Sequence, residues 1–149
     1  MIIVSNTSPI NYLILIGQID LLPEFKQIII PQAVYSELSE SAAPLAVQTW
    51  IATPPEWLKI QPVNQASDAI VDLLDSGERA AILLAQELNA DLLLLDDMKA
   101  RRTSTERGFA ITGILGILDQ AATMKLIDLP AAVQSLQNTS FWASDSLFS

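Results

Sequence analysis

The stretch Asp91-Leu92-Leu93-Leu94-Leu95-Asp96-Asp97 constrains this chain more than any other. Four leucines in a row, bounded by acids, read as a strand buried on both faces of a parallel sheet. Such a strand needs helices above and below it. It also carries Asp96 and Asp97 to its carboxyl end, the edge where open α/β sheets bind ligands. Two adjacent carboxylates there repel each other unless a cation or a proton relieves them. An oxygen-rich metal site is the first expectation.

The rest of the sequence supplies neighbours for that strand. Ile2-Ile3-Val4 reads as a short strand, and Ser8-Pro9 as an N-cap followed by proline in the first helical turn. That helix runs through Leu13 and Ile16 and ends near Gly17. Ile28-Ile29-Ile30 is a second buried strand, with Pro31 opening the next helix. Residues 43–52 read as helical, Thr53-Pro54-Pro55-Glu56 as a break, and Leu58-Lys59-Ile60 as a short strand. Two helices are expected over 66–74 and 77–89, separated by Asp75-Ser76-Gly77. A polar helix follows over about 97–107, then a strand at Gly108–Ile111, with Thr112 capping a helix through Leu118. Pro130 opens another helix. The tail 140–149 carries Phe141, Trp142, Leu147 and Phe148 and reads as docking on the fold. Strands alternating with helices give an α/β fold with a mainly parallel sheet. With 149 residues, one domain spanning 1–149 is expected, large enough to bury roughly 70% of its unfolded surface.

Composition narrows the chemistry. The chain has no cysteine and no histidine, which removes disulfides, thiolate nucleophiles, His-based triads and most catalytic zinc sites. Any metal must be held by carboxylates and other oxygens, which favours Mg²⁺ or Mn²⁺. The net charge of −9 argues against binding nucleic acid through a general positive field. Yet Arg79, Lys99, Arg101, Arg102 and Arg107 fall in one short segment, and a local basic rim beside an acidic pocket is expected. Met1 to Ile19 lacks charge, but Asn6, Thr7, Ser8, Asn11 and Gln18 interrupt it, arguing against a membrane anchor. The expectation is a soluble, cytoplasmic protein.

Several acids fall in unusual contexts. Ala33, Val34, Glu37 and Leu38 share one helix face, and a glutamate in an apolar stripe is expensive to bury unpaired. The plainer alternative puts Glu37 at the stripe's edge, reaching water. Glu78 shares a face with Ala81, Ile82 and Ala85; its plainer role is to complement a helix dipole. Asp96 and Asp97 have capping of the following helix as the plain alternative, which accounts for one of them and not both. Thr112 is an N-cap by default, with its hydroxyl at a strand's carboxyl end. Arg101 and Arg102 are by default solvated, Arg102 pairing with Glu106 at i+4; the sharper alternative is a grip on phosphate. Asn6 also stands at a strand's carboxyl end, where Asn-Thr-Ser-Pro is otherwise a turn into a helix.

The ordered set of Ile3-Val4-Ser5-Asn6-Thr7-Ser8-Pro9, Ile30-Pro31-Gln32-Ala33-Val34-Tyr35-Ser36-Glu37-Leu38, Gly77-Glu78-Arg79-Ala80-Ala81-Ile82, the leucine strand with Asp96-Asp97, Ala100-Arg101-Arg102 and Ile111-Thr112-Gly113 resembles PIN-domain proteins. It is similar to the VapC-type toxin ribonucleases, and within them to a PIN-like branch beginning Val-Ser-Asp-Thr-Ser-Pro. The resemblance covers nearly the whole chain. It implies a three-layer α/β/α fold and a cluster of acids holding Mg²⁺ or Mn²⁺ for hydrolysis of RNA. The family's first acid falls on Asn6, its helix glutamate on Glu37, its third acid on Glu78 and its fourth on Asp96, with Asp97 adjoining.

Asn6 departs from that pattern, because an amide oxygen can bind a hard cation but brings no charge. The reading that follows is a metal-dependent endoribonuclease, the toxin of a toxin–antitoxin pair, with Glu37, Glu78, Asp96 and Asp97 as metal ligands. Thr7, Ser8 and Thr112 would orient ligands or water, and Arg101 and Arg102 would touch the RNA backbone. A small antitoxin and a second subunit are the expected partners; the dimer is suggested by Tyr12, Leu13, Leu15 and Ile16, which leave the first helix apolar on more than one face. The alternative is a PIN-fold binding module whose catalysis ended with Asn6. A receiver-like phosphoacceptor domain ranks below both, since it expects paired acids after the first strand.

Overall fold

The computed structural model describes residues 1–25 and 27–143, the last two by backbone only. Strands β1 (Ile2–Ser5), β2 (Gln27–Pro31), β3 (Leu58–Gln61), β4 (Leu92–Leu94) and β5 (Ile111–Thr112) form one sheet in the order β3-β2-β1-β4-β5. Every neighbouring pair is parallel, with Ile3 opposite Ile28 on one side and Leu92 on the other. The helices are α1 (Thr7–Leu15), α2 (Gln32–Ser39), α3 (Leu45–Ala52), α4 (Ser76–Leu88), α5 (Met98–Glu106), α6 (Ile114–Thr123) and α7 (Leu129–Gln137).

Period-2 alternation splits the strands between two cores. Ile3, Ile28, Ile30 and Leu94 pack with Ile10, Leu13, Val34, Ile114 and Leu118 from α1, α2 and α6. Val4, Ile29, Leu93 and Leu95 face the other way, onto Ala81, Ile82, Leu84 and Ala85 of α4 and Ala100 of α5. The buried leucine strand thus has helices on both faces, which its sequence demanded.

The chain lays β2 and β3 to one side of β1, then crosses to lay β4 and β5 on the other. The strand order therefore reverses between β1 and β4, and the crevice outside the carboxyl ends at such a point is the general ligand position of open α/β sheets. Asn6 follows β1 there, and Asp96 follows β4.

Four local expectations are corrected. The helix expected over 66–74 is a loop with one short 3₁₀ turn at Val71–Leu73. Asp68 Oδ1 accepts the N–H groups of Ile70 and Val71, and this local turn competes with a helix. Helix α1 starts two residues early, so Asn6 and not Ser8 takes the cap position, with no side-chain cap bond. Thr112 ends β5, and Gly113 is the cap residue of α6. The final strand is Ile111–Thr112 rather than Gly108–Ile111.

Docking of the tail holds for Phe141, which is buried and meets Tyr12 edge-on at 5.3 Å between ring centroids; the side chain of Trp142, and Leu147 and Phe148, lie outside what is described. Tyr12 Oη also lies 2.9 Å from Ser140 Oγ. Part of the second apolar face of α1 is therefore covered by the chain's own C-terminal turn, which weakens the reason for expecting a second subunit there. Among the described residues no helix is long and apolar enough to cross a membrane.

Candidate active site

Asn6 is held at the strand-order reversal by its own backbone, whose N–H donates to Leu94 O at 3.0 Å. Its side chain is buried, and Oδ1 has no hydrogen-bond partner, the one such buried side-chain atom among the described residues. A buried acceptor left in that condition costs about 1–3 kcal/mol. An electropositive ligand at that oxygen would relieve it.

Asp96 emerges from β4 beside it, 5% exposed. Its carboxylate accepts the Ile114 N–H at 3.0 and 3.3 Å, so it caps α6 from a different strand. This explains why Gly113 and not Thr112 fills the cap position: a Cβ at Gly113 would overlap Asp96 Oδ1 and press on Arg101. Burial pushes the Asp96 carboxyl up to about 6, against the Ile114 hydrogen bond and the charge of Arg101, which favour ionisation. Asp97 caps its own helix, accepting from Ala100 N at 3.0 Å. Capping of the helix that follows therefore accounts for Asp97 alone, as expected of one of the two acids, while Asp96 caps the more distant α6.

Glu78 is also buried, in the first turn of α4. Asp75 and Glu78 form a capping box: Glu78 N donates to Asp75 Oδ1 at 2.8 Å, and Asp75 N to Glu78 Oε1 at 3.4 Å. Burial, then the charges of Asp75 and Asp97, raise Glu78 to about 7. Glu37 lies across the start of the same helix. Its carboxylate accepts from Thr7 Oγ1 and, at 3.4 Å, from Ser76 Oγ, and a Cβ at Gly77 would collide with it.

The sequence reading missed Asp75, Ser76 and Gly77. Asp75-x-x-Glu78 is a legible capping-box pattern; nothing in the sequence marks Ser76 or Gly77 as the bed for Glu37. Ser8 makes no side-chain hydrogen bond to this group. Thr112 Oγ1 packs where a Cβ at Gly116 would lie, and lines a cavity of about 330 Å³ with Asp96, Arg101 and Gly113.

The basic rim is smaller than expected. Arg107 forks Asp68 at 2.7 and 2.8 Å, Arg79 lies 3.9 Å from Asp72, and Lys99 donates to Leu73 O at 3.3 Å. All three cations hold the 68–73 loop, leaving Arg101 and Arg102. The expected Arg102–Glu106 pair is absent from the ion pairs of the described residues.

The donor chemistry suits a hard cation. Every candidate ligand is an oxygen, one is an orphaned carbonyl, and two are carboxyls that resist ionisation without a nearby positive charge. Among the described residues, however, no three acids gather closely enough to form a ready-made cage. Asn6, Glu78 and Asp96 are the residues that would hold an ion, with Asp97 acting on Glu78.

No curated protein matches the sequence. The fold is similar to a solved structure described as a PilT N-terminus domain protein, SSO1118, from Sulfolobus solfataricus P2. The TM-score is 0.59 at 19% identity, over 81% of this chain and 93% of that one. That likeness speaks to the fold alone. Residues 2–149 match the family described as DUF3368: PIN domain. PIN domains are generally nucleases and typically depend on divalent metal. On this match, carried by nearly the full length of the sequence, the chain belongs to the PIN-domain family.

Proposed function

We propose that the protein is a divalent-cation-dependent endoribonuclease, and that it serves as the toxin of a toxin–antitoxin pair in the cytoplasm. The observation that carries the nuclease reading is the buried, unpartnered Asn6 Oδ1 at the strand-order reversal, with Asp96 at the end of the neighbouring strand and Glu78 in the first turn of α4 as buried acids in need of positive charge. A divalent ion, Mg²⁺ or Mn²⁺, would polarise the scissile phosphate and lower the pKa of the attacking water.

The chain's own groups do the positioning. The Ile114 N–H fixes Asp96, so that ligand stays oriented without a cation. Thr7 and Ser76 hold Glu37 across the start of α4, where it can accept a proton from water. Arg101 offers a positive charge for a phosphate oxygen. The toxin role, a small antitoxin and a homodimer are supported by the resemblance of the ordered motifs to VapC-type proteins.

The test is cleavage of a mixed RNA pool with and without Mn²⁺, for the native chain and Asn6→Asp. Cation-dependent cleavage by either form supports the nuclease. Absence of cleavage by both favours the second reading, a binding module, for which the uncharged Asn6 is the specific observation. Growth arrest on expression, relieved by the protein encoded next to it, tests the toxin role.

A further inference from the structure

The cavity beside Asp96 has a neighbour. A second cavity of about 400 Å³ lies against Arg102, Thr105, Glu106 and Ile111, and Met98 and Arg101 line both. The two cavities therefore form a groove along α5, divided by a thioether and a guanidinium. We propose that this groove seats two consecutive nucleotides of single-stranded RNA, one base on each side of Met98, with Arg101 on the phosphate between them. The inference rests on the nuclease reading and gives it a substrate register, running away from Asp96.

Four observations support it. Each cavity is large enough for a base and part of its ribose, within the range of small-ligand sites. Arg101 makes no side-chain hydrogen bond or ion pair among the described residues, whereas Arg79, Lys99 and Arg107 are all tied to the 68–73 loop. Its charge favours the ionised form of Asp96 without a direct bond, so its N–H groups remain available to fork phosphate oxygens. Met98 is 44% exposed, and its polarizable sulfur packs well on a base face.

The fourth observation is the pair of glycines. Gly113 and Gly116 both line the first cavity, and a Cβ on either would collide with Asp96 or Thr112. Gly116 lies inside α6, where glycine is less stable than alanine. Its absent side chain keeps the wall thin.

A chain of net charge −9 cannot hold RNA by its overall field, so local contacts of this kind must supply the grip. An acidic peptide could use the arginines but would leave the two base-sized hollows unexplained.

The experiment uses the five glycine amides as reporters in a ¹H–¹⁵N titration of the native chain with 5′-phosphorylated ribodinucleotides. Gly113 and Gly116 should shift and saturate, while Gly17 and Gly108 stay still. Arg101→Gln should weaken binding by roughly tenfold. Met98→Ala should weaken it less, and change which dinucleotide binds best. Equal shifts with inorganic phosphate alone, with an acidic peptide, or at all five glycines would overturn the proposal, as would none at all. The outcome separates from the nuclease reading. RNA cleavage without shifts at Gly113 and Gly116 leaves the nuclease and removes the groove. Saturable shifts without any cleavage do the reverse.

Discussion

Glu78 and Asp96 are both buried acids at helix starts on the carboxyl edge of the sheet, yet opposite means hold them. Asp96 is braced: a neighbouring helix gives it an N–H, and Arg101 lends it positive charge. Glu78 is crowded: its own capping box ties it to Asp75, and Asp75 and Asp97 both press negative charge on it. A ligand that must stay oriented and one that must stay hungry for a cation are built differently. Burial raises both, to about 6 for Asp96 and about 7 for Glu78; the charges around them then act in opposite directions.

The largest expected effect is at the braced acid. Asp96→Ala removes a candidate ligand and the cap on α6 together. Cleavage should fall by a factor of about 100 to 1,000, and the fold should lose about 1–2 kcal/mol. Asp96→Asn should be no less stable than the native chain above about pH 6, since an amide oxygen still accepts from Ile114 and no charge is buried, but should lose the activity. Denaturant melts and RNA cleavage assays on the two variants separate the roles. Equal stability loss in both would break the claim that Asp96 is braced by that cap.

At the crowded acid the two effects should oppose each other. Glu78→Gln should reduce cleavage by roughly a hundredfold. It should also stabilise the metal-free protein at pH 8, by on the order of 1–3 kcal/mol. A metal-free Glu78→Gln protein that melts below the native one at pH 8 would show that Glu78 is not under charge strain.

The same strain predicts a pH dependence. For Glu78, folded and unfolded forms are both protonated below the ordinary value of 4.5, and only the unfolded chain gives up its proton between there and about 7. Stability therefore falls as pH rises across that window and levels off above it. Asp96 adds the same sign between 3.8 and about 6. Metal-free protein should melt at a lower temperature at pH 7.5 than at pH 5, and Mn²⁺ should narrow the gap. Thermal scans with and without the ion measure both.

The smallest effect is expected around Glu37, which is supported by hydroxyls rather than by charge. Thr7→Val or Ser76→Ala should slow RNA cleavage by roughly tenfold, with the cation's Kd, read by calorimetry, and the melting temperature little changed.

This contrast was only partly legible in the sequence. The leucine run placed Asp96 at a strand end, and period-2 alternation divided Ile3 from Val4 and Leu94 from Leu93 between two cores. Those signals are local, as is the Asp75-x-x-Glu78 box that the reading passed over. The capping of α6 by Asp96 joins residues 18 apart in sequence, and the bed of Gly77 beneath Glu37 joins two separate helices. Neither leaves a spacing to read. The 66–74 stretch misled because its apolar residues have helical spacing, while Asp68, bonding locally and paired with Arg107, makes a turn instead. In the fold only Val71 and Leu74 of that loop's apolar side chains are buried, with Ile70 and Leu73 left exposed.

Calorimetric titration of the metal-free protein with Mn²⁺, run on the native chain and on Asn6→Asp, tests the cation site most directly. Asn6 Oδ1 should contribute an uncharged ligand, so the native chain should bind weakly. The substitution adds a carboxylate, so binding should tighten by tenfold or more, and the metal-free variant should melt lower because one more negative charge joins Glu78 and Asp96. Unchanged affinity together with an unchanged melting temperature would contradict the account, because Asn6 would then be an ordinary turn residue and the strand-order reversal would hold no cation.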